Sequence, residues 1–249
     1  MAGATDASDG PTTALEAAAA AGADISAASA STLGLVSLFM EWYGTHGVTA
    51  VHFARFNEWT FTELWTGLWF AKGALQSAVD ERLRCSYGGL FEALPRPAPG
   101  TLPPALPAHI AGSAALMWRI GLLVLCDQVT RNIFRGTGRA YSYDGWGRAL
   151  AAALLPDWDR LPVPVRASIV LAFVHSEDVA DVAVVESLLG RLQGPLEALS
   201  PSVWASLSGI ARNHRDRMHA FGRIPERNVF LGRESTDAEL AYIAYVGRS

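Results

Sequence analysis

With 249 residues, half of them hydrophobic, the chain can bury a substantial core, and its composition is that of a folded protein rather than a disordered one. A net charge of −4 lacks the basic balance of a nucleic-acid binder and gives no reason to expect a strongly charged partner. Lys72 is the one lysine among 20 basic residues; the others are Arg, whose planar fork suits carboxylate and phosphate. Two cysteines, Cys85 and Cys126, are too few for a disulfide framework and are expected as free thiols. No run of about 18 apolar residues marks a membrane span. Asp6, Asp9 and Glu16 precede the first Arg, which is wrong for a secretory or mitochondrial leader, so a cytoplasmic location is expected.

Residues 1–32 are rich in Ala, Ser, Gly and Thr without large apolar anchors, and read as a disordered tail before one helical domain over 33–249. The region 39–70 is dense in aromatics, from Phe39, Trp42 and Tyr43 to Trp65, Trp69 and Phe70. Core packing is their ordinary use, and an exposed patch for a protein partner is the alternative. A helix is expected from about Thr60, and another over 74–94 with a weak point at Gly88-Gly89. Six prolines between Pro95 and Pro107 make a rigid connector.

The centre of the chain is the helix predicted over 114–135. Met117, Ile120, Val124, Asp127, Arg131 and Phe134 share one side at helical spacing. The stripe turns ionic at Asp127 and Arg131, an i,i+4 pair, and is apolar again at Phe134. Gln128, Asn132 and Arg135 form a second polar row, and Gly136 is placed to end the helix. Charges on a core-facing stripe must be paired or face a cavity. Two readings follow: an ion pair that fixes helix register, or the wall of a ligand pocket.

Further helices are expected over 144–154, with Asp144 as a candidate N-cap, and over 163–174. His175-Ser176-Glu177-Asp178 then interrupts the apolar pattern. Ser176 reads as a cap with Glu177 and Asp178 in the next first turn, and His175 as a candidate acid or base. The helices 179–192 and 205–221 follow, the second carrying His214 on a partly apolar face, where a satisfied core histidine is the commoner case. Arg223 to Asn228 and Leu231 to Arg233 form a loop, and Thr236 with Glu239 makes a capping box for a last helix over 237–246.

Three of these stretches resemble a known family. Asp127-Gln128, with Arg131-Asn132-Ile133-Phe134-Arg135-Gly136-Thr137, is similar to a signature of the bacterial "domain of unknown function 924" family. His175-Ser176-Glu177-Asp178 is the second match. The third runs from His214 through Phe221-Gly222-Arg223-Ile224-Pro225-Glu226-Arg227-Asn228 to Leu231-Gly232-Arg233-Glu234-Ser235-Thr236. The resemblance covers about 60–243. Val129 and Thr130 replace the family's aromatic and proline, and Cys126 stands where Leu is common. The resemblance implies an all-α fold of tetratricopeptide-like stacked antiparallel helix pairs, although no repeat of about 34 residues is readable here. It brings no established activity.

Brought together, the motifs supply Asp127, Gln128, Arg131, Asn132, Arg135, Glu177, Asp178, Arg223, Arg227, Asn228 and Arg233 as candidate ligand-binding residues. Such a set suits a small anionic molecule or a peptide carboxylate. An enzyme with His175 or His214 as base, and Asp127 beside them, is the alternative. A helical adaptor using the aromatic region is a third. No P-loop, dinucleotide fingerprint or Gly-x-Ser-x-Gly elbow is present, so no organic cofactor is expected. His175, Asp178 and His214 make only a weak metal pattern, and no metal is expected.

Overall fold

The computed structural model describes residues 30–45, 58–98, 100–108 and 110–247. Every regular element among the described residues is helical, as expected. Helix α1 spans Ala30–Tyr43 and so begins inside the stretch read as a tail; residues 1–29 lie outside the described residues. Leu35, Val36, Leu38, Phe39, Trp42 and Tyr43 are buried in adjacent pairs, the pattern of a helix enclosed on most sides.

The partner of α1 is α5, Gly112–Val124. Their backbones touch at Gly121, where a Cβ would lie 2.1 Å from the Leu35 carbonyl oxygen. The run Gly112–Ile133 is long and apolar enough to cross a membrane, contrary to expectation, but 72% of its apolar window is buried inside the fold. It is a core helix. It is also not the single α-helix predicted over 114–135: α5 passes into a π turn, Leu125–Val129, and then into α6, Thr130–Ile133. Thr130 Oγ1 bonds back to the Cys126 carbonyl at 2.9 Å, the kind of side-chain bond that disturbs an α ladder. Gly136, at φ +77°, lets the chain turn away just beyond α6.

Helix α2, Glu58–Leu64, runs into a second π turn, Trp65–Trp69. Trp69 stacks on Trp42 at 5.7 Å and donates its indole N–H to the Trp42 carbonyl at 3.0 Å. The buried Phe39, Trp42, Tyr43, Phe61, Trp65 and Trp69 are therefore core, not an exposed patch; Phe53 and Phe56 lie outside the described residues. Helices α3, Gly73–Tyr87, and α4, Leu90–Ala93, divide the predicted 74–94 helix at Gly88-Gly89.

Helices α7 (Asp144–Leu154), α8 (Val163–Val174), α9 (Ala180–Leu199) and α10 (Pro201–Phe221) pack each on the next. Pairing elsewhere is not sequential, since α1 lies on α5. One core cluster extends from Leu35 to Ala211. Helix α10 starts earlier than predicted because Ser200 Oγ accepts from the Val203 N–H at 3.3 Å, with Pro201 in the first turn.

Two predicted caps are corrected. Asp144 is the first residue of α7 rather than its cap, and its carboxylate is bound by arginines instead. Ser176 receives the Asp178 N–H at 3.1 Å within a turn, and Asp178 Oδ1 receives the Ala180 N–H at 3.0 Å where α9 begins. The capping box of Thr236 and Glu239 is present at the start of α12, Asp237–Val246, which follows the short α11, Asn228–Leu231.

Candidate functional site

The π turn makes the site. By widening one turn of the helix it turns the neighbours Asp127 and Gln128 inward together, at 1% and 5% exposure. Gln128 Nε2 donates to Asp127 Oδ2. His175, at the C-terminal end of α8, sets its Nδ1 2.8 Å from Asp127 Oδ1. Gly147 lets α7 run close behind, since a Cβ there would come within 3.2 Å of the Asp127 Cβ.

Arg131 does not chiefly form the predicted i,i+4 pair. Its Nη1 donates to the Asp127 carbonyl and lies 3.8 Å from the carboxylate, whereas Nη2 meets Asp144 Oδ2 at 3.0 Å. Arg227 Nη1 reaches the same oxygen at 3.1 Å. The Tyr141 ring lies under both guanidiniums, 4.8 Å from Arg227 and 5.9 Å from Arg131.

These contacts set the charge states. Burial pushes the Asp127 pKa up, but His175, Arg131 and the hydrogen bonds from His175 and Gln128 outweigh it and hold the carboxyl below its usual range. Burial pushes the His175 pKa down and Arg131 adds to this, so the ring is neutral near pH 7 despite Asp127. An ionised Asp127 can only accept. His175 therefore carries its hydrogen on Nδ1 and a lone pair on Nε2, the form of a general base.

His175 lines two cavities. One, of about 240 Å³, is walled by Trp69, Phe70, Lys72, Gln76, Gln128, Arg131, Asn132 and Arg135. The other, of about 340 Å³, is walled by Tyr141, Ser142, Asp144, Arg148, Ser176, Glu177, Arg227 and Leu231. A third cavity, about 330 Å³ between Leu35, Leu94, Trp118 and the proline connector, has no ionisable group in its wall.

Of the candidate residues, Asp127, Gln128, Arg131, Asn132, Arg135, His175, Glu177 and Arg227 come together here. Several are already engaged. Arg135 grips Asp80 with Nε at 2.7 Å and Nη2 at 3.0 Å, and Asn132 holds the same carboxylate at 2.8 Å. Arg233 grips Glu177 at 2.7 and 2.9 Å, and the Ile224 N–H binds it at 2.7 Å.

Others lie apart. Arg223 is bound to Glu239, Asn228 to Ser235, and Asp178 faces Arg148 at 3.6 Å. His214 is buried with neither ring nitrogen hydrogen-bonded among the described residues, beside a separate space of about 40 Å³. The weak metal pattern does not assemble, because His175 turns to Asp127 and Asp178 to Arg148. Sequence reasoning missed Asp80, Tyr141, Asp144 and Arg148 as site residues; Lys72 stood out only as the single lysine.

No curated protein matches the chain. The solved structure of a protein of unknown function, ATU0120, from Agrobacterium tumefaciens is similar, with 26% identity and a TM-score of 0.50 over 70% of this chain and 87% of that one. The model of the family described as "Bacterial protein of unknown function (DUF924)" matches residues 42–247, which include α1 from Trp42, both π turns and both cavities around His175. The chain belongs to that family.

Proposed function

We propose that the chain binds a small anionic molecule in the Lys72 cavity. The observation that carries this is the Lys72 side chain, which lines the cavity beside Arg131 and His175 and has no hydrogen bond or ion pair within the described residues. Arg131 supplies a second, largely buried positive charge, and Gln128 and Asn132 supply amides. Both π turns reach the same wall, through Trp69 and Gln128, and π turns are frequent at functional sites. A peptide carboxylate would meet the same groups.

The test is a thermal-shift panel of small carboxylates and phosphates on the native chain and on Lys72→Ala. Binding to the folded state raises the melting point by mass action. Lys72 is exposed, so its removal leaves the fold intact. A shift present in the native chain and absent from Lys72→Ala supports the reading. A panel with no shift overturns it.

A second reading is favoured by the Asp127–His175 contact: His175 acts as a general base on the bound molecule. Its Nδ1 is fixed and its Nε2 makes no protein hydrogen bond among the described residues. His175→Asn would then abolish turnover while ligand binding persists. Equal turnover in the variant ends this reading.

A further inference from the structure

Arg227 is the least compensated buried charge at the site. Its exposure is 7%, yet it has one ionic partner, Asp144 Oδ2, and that oxygen is already bound by Arg131. Its Nε and Nη2 form no hydrogen bond to protein among the described residues. Burial lowers the Arg227 pKa and Arg131 adds to this, with Asp144, Glu177 and Tyr141 only partly opposing. Neither nitrogen is fully enclosed, so both donors are open to a ligand in the cavity beside them. Arg227 lines the larger cavity, with Arg148 and His175. The carboxylates in that wall are neutralised: Asp144 by two arginines, Glu177 by Arg233 and the Ile224 N–H.

We infer that the Arg227 cavity is a second anion subsite, and that the ligand is a short dicarboxylate bound past His175, one end on Lys72 and the other on Arg227. This rests on the Lys72-cavity reading. Lys72 meets its carboxylate as a point charge, and Arg227 meets the other with two parallel donors, Nε and Nη2. The shared wall, His175, then touches the middle of the molecule.

Calorimetric titration decides it, with butyrate as the single-charge probe and malonate, succinate, glutarate and adipate as the two-charge series. Gly145 is exposed and lines the Arg227 cavity, and a Cβ there meets nothing within 4 Å, so Gly145→Phe is expected to narrow this cavity from the solvent side. One dicarboxylate is expected to bind about tenfold or more tighter than butyrate, a step of about 1.4 kcal/mol. That preference is expected to vanish in Gly145→Phe and Arg227→Gln, while butyrate still binds and still depends on Lys72. Gly145→Phe decides alone where Arg227→Gln does not fold. Butyrate binding through Lys72 with no dicarboxylate preference, or a preference that survives Gly145→Phe, overturns the inference and leaves the Lys72 reading standing. Binding of none of these probes overturns the inference, and the Lys72 reading is then decided by the thermal-shift panel, which also holds phosphates.

Discussion

His175 Nδ1 and Asp127 Oδ1 lie 2.8 Å apart, joining residues 48 positions distant in the chain. The contact ties the end of α8 to the π turn and leaves the imidazole with one orientation. Asp127→Asn removes the charge that holds it. The variant is expected to lose stability on the order of 2 kcal/mol, as when a hydrogen bond to a buried charged group is lost. Imidazole nitrogen NMR of the native chain is expected to show a neutral His175 protonated on Nδ1. A native ring protonated on Nε2 would contradict the assignment.

Arg131 and Lys72 share a cavity but differ in what the fold asks of them. Arg131→Ala leaves Asp127 and Asp144 short of a counter-charge and is expected to cost roughly 3–5 kcal/mol. Lys72→Ala removes an exposed, unpaired ammonium and is expected to change stability by less than about 0.5 kcal/mol. Urea unfolding of the two variants separates these values. Equal losses would mean that Arg131 is not the structural member of the pair.

His214 predicts an acid limit to stability. Burial, followed by repulsion from His175, Arg227 and Arg217, lowers its pKa to about 4, with Asp181 opposing. The unfolded chain takes up this proton near pH 6.5 and the folded chain only near 4, so stability falls as the pH drops through that window. The loss is on the order of 3 kcal/mol, because each pKa unit is worth about 1.4 kcal/mol. His214→Leu should flatten the midpoint of urea unfolding between pH 6.5 and 4. It should not destabilise the chain near pH 7, since neither ring nitrogen is bonded. An unchanged pH slope in the variant would contradict this.

Glycine positions separate close packing from open surface. Gly121→Ala drives a methyl into the Leu35 carbonyl and is expected to cost about 3 kcal/mol or more by parting α1 from α5. Gly145→Ala meets nothing and is expected to stabilise by about 0.5 kcal/mol through the unfolded state. Melting points of the two variants should move in opposite directions.

Helical periodicity and punctuation made much of the fold legible. The stripe from Met117 to Val124 is buried as its spacing implies, Gly136 and Gly222 have positive φ where helices were expected to end, and the Thr236 capping box forms. Side-chain choice among competing partners was not legible. Ser176 was free by sequence to cap a helix, and only the backbone path turns it toward the Asp178 N–H. Within the site, Asp127, Arg131 and His175 declared themselves as polar groups on apolar elements. Asp144 did not, because an acidic residue opening a helix is ordinary in sequence, and only the fold brings Arg131 and Arg227 to it. The π turns were invisible to a reading that assumes a constant period of 3.6 residues.

The π turn at Leu125–Val129 behaves as one residue too many for an α-helix. Removing any one residue from it would let the run close into regular α structure. The wide turn absorbs its extra residue, so the two halves of the helix would keep close to their present mutual orientation, and only the turn itself would change. Arg131, Asn132 and Arg135 would then keep Asp144 and Asp80 within reach, while Asp127 and Gln128 could no longer both face inward. The carboxylate–amide pair at the centre of the site therefore depends on a count of residues, and a single-codon deletion would dismantle it while the helices on either side stay where they are.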